Sequence, residues 1–333
     1  MKRTEHFNKI TAILLTAVLC AGLLAGCGVQ DAGADAGQSE FVDAVSVEEI
    51  IIEDEAVALS ESPAAEPEVA ECKASGTAVK ETADAVIDYS NTEDGYIMVK
   101  YLKKTDKKIK VQVKGPETTY TYNLKAKKWT VLPLSDGNGA YQATVFLNTS
   151  GNKYAAKVSV SFGAELTDEF APFLRPNQYV DYSKAENTVA KAASLCKKSK
   201  TELAKVEKVY NYVVKNFKYD KEKAKNVKSG YLPDLDKVLK AKKGICFDYA
   251  AVMAGMLRSQ GVPVKLVVGY AGEAYHAWIS VYVDGEGWIE GVVYFDGEHW
   301  QRMDPTFASS SKQSKSIMKY IGDGSNYTAK YFY

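Results

Sequence analysis

"KGICFDYA", residues 243–250, sets a single cysteine between a glycine and an apolar run. The spacing behind it predicts a helix from Cys246 to about Gly261. Positions 246, 250, 253 and 257 share one face, and after the cysteine that face reads Ala250, Met253 and Leu257. A thiol in a helix's first turn meets unpaired backbone N–H groups and the positive end of the helix dipole. Both favour the thiolate, the form that attacks carbonyl carbon. The same N–H groups can hold a developing oxyanion. Gly244 is expected to let the chain turn sharply into the helix. An inert, buried cysteine would leave the same local pattern, so the remaining residues have to decide.

A nucleophilic cysteine needs a base. Beyond the first 27 residues the histidines are His276 and His299. In "YHAWISVYV", residues 275–283, Ala277, Ile279, Val281 and Val283 form one face of a predicted strand and His276, Trp278, Ser280 and Tyr282 the other. His276 therefore stands off the aliphatic face, free to reach a neighbouring element. His299, in "DGEHW", reads as a turn residue. An imidazole acting as base also needs an orienting acceptor. "RMDPTF", residues 302–307, offers Asp304 at a strand end stopped by Pro305; a turn-initiating Asp-Pro reads the same way.

Taken in order, Gly-Ile-Cys-Phe-Asp-Tyr-Ala, His-Ala-Trp and Asp-Pro-Thr resemble the transglutaminase-like superfamily over roughly residues 185–310. "FKYD" at 217–220 and "MLRSQGVPVKLVVGY" at 256–270 strengthen the resemblance. It implies a papain-like α+β core and acyl transfer through a thioester, with water or an amine as acceptor. By position, Cys246 would be the nucleophile, His276 the base and then the acid, and Asp304 the brace for the imidazolium. The family draws part of its oxyanion hole from a side chain upstream of the cysteine, which points to Tyr219, with Tyr210 behind it. Trp278 and Trp300 would either wall a substrate cleft or fill the sheet face. One departure is the insertion "DGEGWIEGVVYFDGEHW", residues 284–300, which predicts an extra hairpin before Asp304.

Upstream, residues 85–165 read as about seven short alternating strands separated by turn signals such as Lys114-Gly-Pro and Asp136-Gly-Asn-Gly. That pattern predicts a small sandwich-like all-β domain. A stripe of Leu203, Val206, Tyr210, Val213, Val214 and Phe217 behind Thr201 predicts a capped helix, and another is expected from Pro233 to Gly244. Strands are expected at 264–270, 276–283, 288–295 and 300–304. Helices followed by antiparallel strands give an α+β layout, which the resemblance implies to be a papain-like core over 166–333, preceded by the β domain at 85–165.

Residues 1–27 have a basic start, an apolar run from Ile10 to Gly26, and Leu-Ala-Gly-Cys closing at Cys27. This reads as a lipoprotein signal peptide with Cys27 as the lipid site, and places the remainder outside the cytoplasmic membrane, lipid-anchored. Residues 28–84 carry 15 acidic and 2 basic side chains and few aromatics, the composition of a disordered linker. The rest holds 37 Lys and Arg against 26 Asp and Glu. Cys72, Cys196 and Cys246 cannot all pair within one chain, which excludes a disulfide scaffold and leaves a Cys196–Cys246 bridge as one alternative. No metal site is expected, Asp234 and Asp236 being the nearest hint of calcium ligands. No cofactor and no nucleic-acid partner are expected.

The sequence thus points to a membrane-tethered cysteine hydrolase or acyltransferase acting on peptide or protein amides, most simply by hydrolysis. Glutamine cross-linking is the alternative within the same chemistry. A non-catalytic surface module, with the β domain as its binding part, is the alternative outside it.

Overall fold

In the computed structural model the described residues are 71–271, 273–295, 300–301 and 327–333. They belong to one compact unit. Cys27, His299 and Asp304 lie outside the described residues.

The first half is a sandwich. One sheet orders β1 (Val79–Glu81), β2 (Ala85–Asp88), β3 (Tyr96–Tyr101) and β6 (Thr130–Pro133) as β1-β2-β3-β6. The other contains β4 (Ile109–Lys114), β5 (Thr119–Leu124), β7 (Gly139–Ser150) and β8 (Lys153–Ala164), ordered β5-β4-β7-β8. Alternation drives the second sheet: Ile109, Val111, Val113, Tyr120, Tyr122 and Leu124 are buried while their neighbours face out. β2 and β3 are buried on both faces instead. At one end of β3 the segment around α1 (Ala171–Leu174) closes over Tyr96, where Arg175 pairs with Asp94 at 2.6 Å and lies over the Tyr96 ring. β1 falls inside the stretch read as acidic linker. Its Val-Lys-Glu is exposed at every position, so it joins the sheet by backbone pairing alone and leaves no apolar signal.

Helices follow: α2 (Glu186–Cys196), α3 (Glu202–Asn216), α4 (Lys221–Asn226), α5 (Leu235–Ala241) and α6 (Cys246–Arg258). Thr201 caps α3 as expected, accepting from the Ala204 N–H at 3.2 Å. The two acids weighed as calcium ligands are both caps. Asp234 accepts from Lys237 N at the start of α5, and Asp236 accepts from the Asn187 and Thr188 N–H groups at the start of α2. Between the helices, β9 (Lys218–Tyr219) pairs in parallel with β10 (Lys243–Gly244).

α6 departs from the one-faced helix the spacing predicts. It is buried on every side from Asp248 to Arg258, with α2, α3 and α5 packed on one side and sheet strands on the other. Ala250, Ala251, Ala254 and Gly255 keep its girth small enough for that.

The second sheet system is antiparallel. β11 (Val264–Ala271), β12 (Ala274–Val283), β13 (Gly287–Phe295), β14 (Trp300–Gln301) and β15 (Tyr327–Phe332) are ordered β14-β13-β12-β11-β15. The inserted hairpin is present: β13 lies beside β12, and β14 pairs with β13. Arg258, fully buried, ties the pieces together. It donates to Val264 O at 2.6 and 3.0 Å, to Arg175 O at 2.8 Å and to Tyr333 O. Burial pulls its guanidinium down to about 10, so it stays charged at neutral pH.

Gly269 sits in β11 opposite His276 and beside Ala329. A methyl there would strike Thr328 O and lie 2.8 Å from the Trp278 ring. We expect Gly269→Ala to lower stability by about 2 kcal/mol, the usual scale of overpacking, by levering β15 off β11. Urea unfolding would measure it, and hydrogen exchange should show the loosening in β15.

Candidate active site

Cys246 is the first residue of α6, half-buried in the wall of a cavity of about 560 Å³. His276 and Ala277 of β12 and Tyr219 of β9 line the same cavity. β12 is brought there because Ala277, Ile279, Val281 and Val283, all buried, pack toward α6. The backbone N–H groups of Ala277 and Phe247 lie close enough to the sulfur to favour its ionised form. Cys246 forms no disulfide, nor do Cys72 and Cys196, which removes the bridged alternative.

The charge state of the thiol runs against the expectation drawn from the helix terminus. Burial pushes Cys246 above its ordinary value, and the nearby Asp248 carboxylate adds to the rise. The N–H groups of Ala277, Phe247 and Cys246 itself pull the other way but do not prevail. Burial removes water from the sulfur faster than three backbone dipoles replace it. A persistent thiolate here requires a cationic neighbour.

Tyr219 is held next to the sulfur by the β9–β10 pairing, which sets it opposite Gly244. Burial first, then the charges of Cys246 and Asp248, push its phenol up to about 12, so it remains a donor at neutral pH. Tyr210 is buried in the helical core and does not line the cavity. Trp278 is buried in the sheet face, edge-on to Tyr327 at 5.5 Å, and is not among the cavity residues. Trp300 is described by its backbone, which opens β14 opposite Phe295. β14 thus stands two strands from β12, and the chain toward Asp304 departs from there.

Three residues had escaped the sequence reading. Asp248, fully buried, accepts from Ile245 N–H at 2.8 Å, from Lys223 Nζ at 2.6 Å and from the Tyr231 hydroxyl. It occupies the third position of α6, where a carboxylate reaches back to the residue before the helix. This fixes the entry of the chain into Cys246. It also corrects the role of Gly244, whose added methyl would lie 2.6 Å from Asp248 Cβ. The glycine is there for a close approach, not for a left-handed turn. An acid three positions past Ile245 was the available signal.

Residues 189–292 match the family model of the transglutaminase-like superfamily, a range that includes Cys246 and His276 and ends before Asp304. UPF0252 protein MJ1282 of Methanocaldococcus jannaschii is 30% identical over 106 residues, covering 28% of this chain and 30% of that protein. The chain thus spans about a third of the length of that curated relative. Among solved structures, a cysteine-protease candidate from Cytophaga hutchinsonii is 16% identical, with 58% of this chain and 77% of that one covered and a TM-score of 0.32. Red sea bream transglutaminase is 12% identical, with 62% and 49% covered and a TM-score of 0.26. Residues 189–292, with their cysteine-led helix against an antiparallel sheet, are thus similar to a transglutaminase-like core.

Proposed function

We propose that this chain is a cysteine-dependent acyltransferase of the hydrolytic kind, carried outside the cell on a lipid at Cys27. Cys246 would attack a peptide amide, His276 would take and return the proton, and Asp304 would orient the imidazole. The observation that supports this best is the setting of the sulfur. It lies at a helix N-terminus, near the backbone N–H of the residue after His276, in a cavity that His276 and Tyr219 share.

The chemistry follows from the raised thiol. Since the backbone alone does not ionise it, the attacking species is the thiolate–imidazolium pair. Attack on the carbonyl gives a tetrahedral oxyanion. Backbone N–H groups at the start of α6 and the Tyr219 hydroxyl are the donors for it. The imidazolium then protonates the leaving amine, a thioester remains on Cys246, and water completes hydrolysis.

The test is cleavage of a fluorogenic peptide pool, with and without a fluorescent primary amine, on wild type and Cys246→Ala. Fragments that vanish in the variant uphold hydrolysis. Amine incorporation without fragments would replace it by cross-linking, and neither product would remove the enzymatic reading. Tyr219→Phe should lower kcat about a hundredfold while leaving KM nearly unchanged, as loss of one oxyanion donor does.

A further inference from the structure

The cavity that holds Cys246 is not walled by the core alone: Thr121 and Asn123 of β5 line it as well. β5 is the terminal strand of its sheet, paired with β4 on one side and with no strand on the other among the described residues. Which of its backbone groups face that open side can be worked out. Gly115 N–H donates to Thr118 O at the hairpin turn, so 115 and 118 form a hydrogen-bonded pair. In an antiparallel ladder such pairs alternate with non-bonded ones. Tyr120, Tyr122 and Leu124 therefore bond to β4, while Thr119, Thr121 and Asn123 turn their N–H and C=O outward.

Two further contacts agree. Asn148 N–H donates to Lys108 O, so the even-numbered residues of β4 bond to β7 and the odd-numbered ones are left for β5. Asn123 O, on the outward side, accepts from Gln178 Nε2 at 2.6 Å. That side chain closes the lower end of the edge and itself lines the cavity. What remains is a run of outward backbone groups at Thr119 and Thr121, with exposed side chains, of which Thr121 lines the cavity of Cys246.

We propose that the β5 edge is the docking track for the substrate: an extended peptide adds to the sheet as a further strand, its backbone bonded to Thr119 and Thr121, and so presents an amide to Cys246. The proposal rests on the acyl-transfer reading for its substrate class. Backbone pairing is indifferent to side chains, so the site would select an unfolded or extended segment over a sequence. Exposed Tyr275, which adjoins His276 and also lines the cavity, would then meet the peptide's side chains on the opposite wall.

A proline at an outward position removes one edge N–H without touching the β4 ladder, the one strand setting where proline is tolerated. Binding of a fluorescein-labelled pool of random hexapeptides is measured by anisotropy on the full chain carrying Cys246→Ala, with and without Thr121→Pro. We expect at least a tenfold loss of affinity with Thr121→Pro, little change with Thr121→Val, and weaker binding when alternate peptide amides are N-methylated. Affinity within twofold under Thr121→Pro, the thermal melt being unchanged, would overturn the proposal, as would no binding at all or a loss matched by Thr121→Val. If Thr121→Pro lowers the melt, the N-methylated peptides decide alone: binding equal to the unmethylated pool refutes edge docking. Peptide binding with no turnover in wild type would sink the chemistry and leave the docking intact. Turnover indifferent to Thr121→Pro and to N-methylation would do the reverse.

Discussion

His276→Ala will slow the alkylation of Cys246 by iodoacetamide at pH 7 by about a hundredfold. The loss will be recovered as the pH is raised toward 10. Burial holds the thiol above its ordinary value of 9.0. A thiol of that kind without a cationic partner is at most about 1% ionised at pH 7. With an imidazolium beside it, most of the sulfur is thiolate near neutrality. The variant's rate should climb with pH as the unassisted thiol ionises, whereas the wild-type rate should flatten near neutrality. Peptide turnover should fall further, by roughly ten thousandfold, because the acid for the leaving amine goes with the imidazole. A wild-type profile that itself rises only above pH 9 would show that no ion pair forms.

Lys223→Met will cost about 3–5 kcal/mol of folding stability, the scale set by leaving a buried charge without its partner. Asp248 is fully buried, and Lys223 is its cation at 2.6 Å. Tyr231 and Ile245 N–H remain as donors but carry no charge. Because this carboxylate also fixes the chain entering α6, the damage should be felt at Cys246. The expected signature is a large drop in the urea midpoint with a slower alkylation of the remaining folded protein. Lys223→Met combined with Asp248→Leu should recover part of the stability, since the stranded charge is then gone. A single variant that melts like wild type would mean that water reaches Asp248.

The elements read most directly from the residues were those that face one neighbour. β4 and β5 alternate because one side meets the sandwich core, and α3 shows a clean stripe behind its Thr201 cap. What escaped was structure held by backbone or charge. α4, Lys-Glu-Lys-Ala-Lys-Asn, buries nothing and carries no period. β15 joins β11 from far along the chain, a pairing that no local signal announces. Of the candidate site, Cys246, His276 and Tyr219 were found from motif order and do share a cavity. The wall supplied by β5 was not, because two polar residues on a strand look like ordinary solvent-facing positions. Nor was the raised thiol, which depends on burial around the helix end and not on the helix itself.

Tyr120 and Tyr122 reach beyond their own sheet to Tyr333, at 5.7 and 5.8 Å, and Tyr179 stacks between Tyr122 and Phe247, next to the nucleophile. Recombinant expression of residues 166–333 alone would sever that aromatic seam. The fragment would carry bared rings on one flank and a cleft open where it should be bounded, so insolubility and indiscriminate reactivity belong to the same cut. If β5 docks the substrate as proposed, preference among targets would drift through changes in a strand that no alignment of residues 189–292 would ever compare.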